Sequence, residues 1–74
     1  MHIQIVMDHH GDSRHDFDPA NSRSLAEADA RFKDLTGKGF RAVAPGKDGQ
    51  PGRLVREFDP TLQETLFIPQ LQGG

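Results

Sequence analysis

This chain of 74 residues contains no cysteine, no tryptophan and no tyrosine. Without cysteine there is no disulfide frame and no thiolate metal site, so stability rests on one hydrophobic cluster. Five phenylalanines are the only aromatic residues apart from four histidines. No apolar run is long. The N-terminal stretch from Ile3 to Met7 is far too short for a signal-peptide core or a membrane span. Nor is there a surplus of either charge: the formal net charge is −2, with the signs interspersed. Such a chain produces no field that draws in nucleic acid or an anionic membrane. Arg53 and Arg56 come nearest to a basic patch, and Glu57 and Asp59 follow at once. Absence of cysteine and of a targeting segment leads to the expectation of a cytoplasmic protein.

What is there is 34% apolar and 27% charged, a balance typical of a small soluble globule rather than a disordered chain. The length gives one domain near the lower edge of what folds unaided. His2 to Met7 alternates loosely, with Ile3, Ile5 and Met7 on one face and His2, Gln4 and Val6 on the other, and predicts a strand. Asp8 to Ser13 is polar, contains Gly11 and predicts a turn. Arg14 to Asp18 predicts a second, antiparallel strand that Pro19 ends. The segment from about Ser22 to Thr36 predicts a helix. Ser24 and Glu27 fit a capping box, with Asn21 or Ser22 as alternative caps. Leu25, Ala28, Phe32 and Leu35 form one buried stripe. Glu27–Arg31 and Asp29–Lys33 stand four apart, and Gly37 is placed to stop the helix.

Phe40 to Ala44 predicts a third strand. Pro45 to Gly52 holds three glycines and two prolines, which predicts a turn or loop. Arg53 to Phe58 predicts a fourth strand, Thr61 to Glu64 a short helical turn, and Thr65 to Ile68 a fifth strand that the chain leaves at Pro69. The expected core is Ile3, Ile5, Phe17, Leu25, Ala28, Phe32, Leu35, Phe40, Leu54, Phe58 and Leu66. This order, strand-strand-helix-strand-strand-strand, implies an α+β domain over residues 1–69 with one helix on a mixed four- or five-stranded sheet. Residues 70–74 would form a flexible tail ending in Gly73-Gly74, where the lack of Cβ atoms makes a backbone slim and pliable.

The element order together with the ending Phe67-Ile68-Pro69-Gln70-Leu71-Gln72-Gly73-Gly74 resembles the β-grasp fold of ubiquitin and the prokaryotic sulfur carriers. The local likeness is to the small subunit of molybdopterin synthase, whose chain ends in an apolar-aromatic strand, a proline, three residues and Gly-Gly. Three features depart from that pattern: Gln70 stands where a second proline is frequent, Thr61-Leu62-Gln63-Glu64 replaces a Gly-Asp-Glu type turn, and the Pro45–Gly52 loop has no counterpart. The resemblance implies a ubiquitin-like modifier or sulfur carrier whose C-terminal carboxylate is adenylated, then thiocarboxylated or conjugated. Gly74 would carry the reacting carboxyl and Gly73 the clearance. Phe67, Ile68, Pro69 and Leu71 would dock on an ATP-dependent activating enzyme, and a downstream acceptor protein would follow. The chain itself would be a monomer, neither a catalyst nor a holder of any cofactor.

Two other constellations stand in the sequence. Asp8, His9, His10, Asp12, His15 and Asp16 cluster, and imidazoles with carboxylates suit Zn, Ni or Cu. A site there would combine His10 and His15 across the hairpin; the alternative is a solvated polar turn. Ser13, His15 and Asp16 contain the residue types of a catalytic triad, but neighbours in a tight turn rarely reach that geometry. Gly46-Lys47-Asp48-Gly49 lacks the strand–loop–helix context of a phosphate cradle. Besides the carrier, two functions therefore stay open: a non-covalent interaction module using sheet edge or tail, and a small metal-binding protein using the histidine-rich turn.

Overall fold

The computed structural model describes residues 1–48 and 50–70. Five strands and one helix follow in the order β1 (His2–Asp8), β2 (Gly11–Phe17), α1 (Ser22–Gly37), β3 (Phe40–Ala44), β4 (Arg53–Val55) and β5 (Glu64–Pro69). The strands form one sheet in the order β2-β1-β5-β3-β4. β1 pairs antiparallel with β2 and parallel with β5, and β3 pairs antiparallel with both β5 and β4. This is a small α+β fold with a mixed five-stranded sheet and a helix on one face. Among the described residues no helix is long and apolar enough to cross a membrane.

The helix lies where the 3–4 spacing of its apolar residues places it, burying Ala28 and Phe32 and half-burying Leu25 and Leu35. Its cap differs from the Ser24–Glu27 box. Asn21 is the N-cap, and its side-chain oxygen accepts from the Ser24 N–H at 2.9 Å. The Ser24 hydroxyl instead accepts the N–H of Asp18 at 2.8 Å, tying the β2 exit to the first helical turn. At the other end the helix includes Gly37, and the positive φ (102°) falls at Gly39, just before β3. Asp29 and Lys33 pair at 3.3 Å as expected. Glu27 pairs with Arg23 rather than Arg31, because Arg31 points inward and donates to Gln4 Oε1 at 2.8 Å.

That last contact reflects the main departure from the sequence reading. β1 turns His2, Gln4 and Val6 toward the helix, not Ile3, Ile5 and Met7. Gln4 is buried, and its Nε2 donates to the Ala28 carbonyl at 3.1 Å. Both ends of the amide are thereby satisfied, as burial of a polar group demands. The core beneath α1 is Val6, Phe32, Ala42, Ala44, Val55 and Phe67, with Leu35, Phe40, Phe58 and Leu62 packed against it. Small alanines on β3 let the helix sit close, and phenylalanines fill the remaining space. Leu54, expected inside, is 52% exposed on the opposite face.

Boundaries shift as well. The hairpin turn is only His9–His10, so β2 begins at Gly11 instead of Arg14. β4 ends at Val55 rather than Phe58, and Leu62 N–H bonds back to the Asp59 carbonyl in a single turn. Pro69 belongs to β5 and stands opposite Phe40. Gln70 continues the contact, its N–H donating to the Gly39 carbonyl at 3.2 Å.

Two consequences are measurable. Phe67 has no exposed surface, so Phe67→Ala should cost about 3–5 kcal/mol. That is a large share of the stability of a chain this short, at roughly 0.05–0.15 kcal/mol per residue. Ile68→Ala, one position on and facing outward, should cost far less. Equal urea midpoints for the two variants would contradict this packing. Separately, Asp59 is held below its usual pKa of 3.8, first by the Thr61 hydroxyl and then by the Thr61 N–H, with Arg53 adding attraction. A lowered folded-state pKa contributes stability at and above the ordinary carboxylate range and loses it as pH falls through the lowered value. Wild type should therefore exceed Asp59→Asn in unfolding free energy at pH 7, and the gap should close below pH 3.8.

Candidate functional site

β5 is the centre of the molecule and the last described strand. Its alternation sends Thr65 and Phe67 under the helix and leaves Leu66 and Ile68 on the helix-free face. On that face the register aligns one residue from each of four strands. Ile5 stands opposite Leu66, Leu66 opposite Val43, and Val43 opposite Leu54. The result is an apolar row running across the sheet, extended by Ile3 and Met7 on β1 and by Ile68 on β5. Ile5 is buried within it, Leu66 and Val43 are half-buried, and Leu54 and Ile68 are exposed. Arg14 stands opposite Ile5 on β2 and Arg41 opposite Ile68 on β3, so guanidinium groups border the row on two sides. Asp12, Asp16 and Glu64 add carboxylates at its rim.

The residues expected to dock a partner divide accordingly. Ile68 is exposed at 39% and Pro69 is half-buried at the end of β5. Phe67 is a correction: it is fully buried against Phe32, at a ring distance of 5.7 Å, and presents nothing to a partner. Leu71, Gly73 and Gly74 lie outside the described residues. Leu66, expected in the core, sits instead in the open-face row. Val43 and Leu54 escaped notice as surface residues, although alternation along β3 and β4 opposes them to the buried Ala42 and Val55.

The histidine cluster does not assemble. His10 lies in the hairpin turn, where its N–H donates to Asp8 Oδ1 at 2.7 Å. His15 lies along β2 opposite Gln4. Five residues of extended chain separate them by roughly 15 Å, far beyond what a shared ion with bonds of about 2 Å could span. Among the described residues no group of three or more His, Asp or Glu side chains converges as a metal site. His2 packs edge-on against Phe17 at 5.5 Å, with Nδ1 buried and without a hydrogen-bond partner. Nor does a triad form: Ser13 and His15 point to the helix side of β2 while Asp16 points to the other face. Four of the surface recesses among the described residues, of about 260–540 Å³, have no serine or histidine in their lining. Zn or Ni titration of the full chain should accordingly give the same isotherm for wild type, His10→Ala and His15→Ala. A loss of affinity in both variants would restore the metal reading.

No family model, curated protein or solved structure matches this chain.

Proposed function

We propose that this chain is a β-grasp carrier or modifier whose reactive group is the carboxylate of Gly74. The observation that carries the reading is the position of β5. The last strand lies between β1 and β3, parallel to the first, and its outward face joins an apolar row. That layout agrees with a β-grasp arrangement, and the Phe67-Ile68-Pro69 ending of β5 leads within five residues to Gly73-Gly74.

The chemistry asks little of the carrier. The carboxylate oxygen of Gly74 attacks the α-phosphorus of ATP on an activating enzyme, pyrophosphate leaves, and a poor electrophile becomes an acyl adenylate. A sulfur or amine nucleophile then displaces AMP, giving a thiocarboxylate or an amide. Gly73 supplies clearance for a narrow channel, since no Cβ blocks close approach. The row of Leu66, Val43 and Leu54, with Ile68 and Pro69 beside it, supplies the docking face, and its rim of arginines and carboxylates favours a partner with charges of both signs around an apolar centre. Such a protein would work in the cytoplasm, where ATP and activating enzymes are at hand.

The open-face row would serve a purely non-covalent interaction module equally well, and one experiment separates the two. The chain is incubated with host lysate and ATP, and its intact mass is followed. Replacement of a terminal oxygen by sulfur, or an adduct at the terminus, is the expected outcome, and removal of Gly74 should abolish it without changing the circular dichroism spectrum. An unchanged mass in every fraction would leave the module as the function. So would an endogenous protein whose mature sequence continues past Gly74.

A further inference from the structure

Among the described residues the outer edge of β2 has no strand beside it, because β2 neighbours β1 alone. The direction of its main-chain groups follows from one hydrogen bond. Ile3 N–H donates to the Gln63 carbonyl at 2.9 Å, on the β5 side. In a strand the N–H and C=O of one residue point the same way and successive residues alternate, so Ile3, Ile5 and Met7 direct theirs toward β5. Their antiparallel partners Asp16, Arg14 and Asp12 occupy the non-hydrogen-bonded pairs of the β1–β2 ladder. The main-chain donors and acceptors of Asp12, Arg14 and Asp16 therefore point outward from the sheet edge. The side chains of these three residues are exposed on the helix-free face and alternate in sign, minus, plus, minus.

We infer that this edge pairs antiparallel with the β2 edge of a second copy, about a two-fold axis at Ser13. Of the self-pairings that bring outward main-chain groups together, a two-fold at Asp12 or at Asp16 sets two carboxylates directly opposite each other, which leaves those centred on Ser13, Arg14 and His15. A two-fold at Arg14 sets Arg14 against Arg14 and Asp12 against Asp16, so each of these charged pairs repels. A two-fold at His15 places two imidazoles in a non-hydrogen-bonded pair, where Cα atoms approach to about 4.5 Å, and sets Asp12 against Asp18. The two-fold at Ser13 puts the smallest side chain available at that close approach. It also pairs Asp12 with Arg14 of the second copy and Arg14 with its Asp12, each pair exchanging two main-chain hydrogen bonds. Asp16 then faces His10 rather than another carboxylate. Charges usually guard a sheet edge against association; here their order rejects one register and favours another. The dimer joins two sheets into a continuous ten-stranded one and leaves β5 and its open-face row untouched. It replaces the monomer expected from the sequence, and it stands independently of the role of Gly74.

The test is sedimentation velocity of the full chain over a concentration series reaching millimolar. Wild type should show a monomer–dimer equilibrium. Asp12→Arg gives two cations, and Arg14→Asp two anions, at each facing pair, so each variant alone should dimerise more weakly by roughly tenfold or more. Mixed one to one they restore two complementary pairs, and a heterodimer at least as strong as the wild-type dimer should form. Both sites are exposed, and recovery in the mixture itself shows that both variants are folded. A wild type that stays monomeric throughout overturns the proposal. So does Asp12→Arg dimerising as well as wild type, which would point to the Arg14–Asp16 register, or a mixture that remains monomeric.

Discussion

A single helix of 16 residues can cover this sheet only because phenylalanine fills the space beneath it. Phe17, Phe58, Phe32 and Phe67 form a continuous chain of ring contacts at 5.8, 6.1 and 5.7 Å, with His2 edge-on at its outer end. The chain links β1, β2, the segment after β4, the helix and β5. Tilted and edge-to-face arrangements of this kind suit the ring quadrupole and add to the burial of area. With no disulfide and no tryptophan, no other device in the described residues spans the whole core. The alanines at 28, 42 and 44 are the complement: they admit the helix closely enough for the rings to meet.

The second link between layers is polar. Gln4 reaches from β1 to the Ala28 carbonyl with one end of its amide and accepts from Arg31 with the other. A buried amide satisfied at both ends fixes the helix along its own axis more specifically than apolar packing does, because sliding by one turn would strand the amide. Around this core the two faces of the sheet differ in character. One holds rings and small side chains, while the other carries an apolar row rimmed by arginines and carboxylates.

Much of this was legible in the sequence. The helix stripe Leu25-Ala28-Phe32-Leu35 and the alternation of Phe40 to Ala44 read directly, since each has a strong period and clear punctuation at its ends. The element order read correctly as well, because Pro19, Gly39 and the Pro45–Gly52 run separate the elements. The face of β1 did not. A strand with Ile3, Ile5 and Met7 on one side and His2, Gln4 and Val6 on the other invites the more apolar side into the core. Only the tertiary partners Ala28 and Arg31 make Gln4 the buried residue, and these are distant in sequence. Phe67 and Leu66 exchanged roles for the same reason, as both neighbours in a central strand are apolar and alternation alone cannot orient them. The helix cap moved from Ser24 to Asn21 because the Ser24 hydroxyl is engaged by Asp18, a contact that exists only once β2 is in place. At the open face, alternation implied that Val43 and Leu54 share a side, but their alignment with Ile5 and Leu66 needs the ladder registers.

The order of strands also bears on how the domain comes into being. β1–β2 and β3–β4 are local hairpins, yet among the described residues no ladder connects one to the other except through β5. A nascent polypeptide lacking residues 64–69 would thus hold two hairpins and a helix with the middle of the sheet vacant. Closing that gap joins the first strand to the last, a contact of long sequence separation, and such contacts form slowly. Assembly should therefore be gated by arrival of the final strand, with the earlier elements exposing their sticky edges to quality control until it docks.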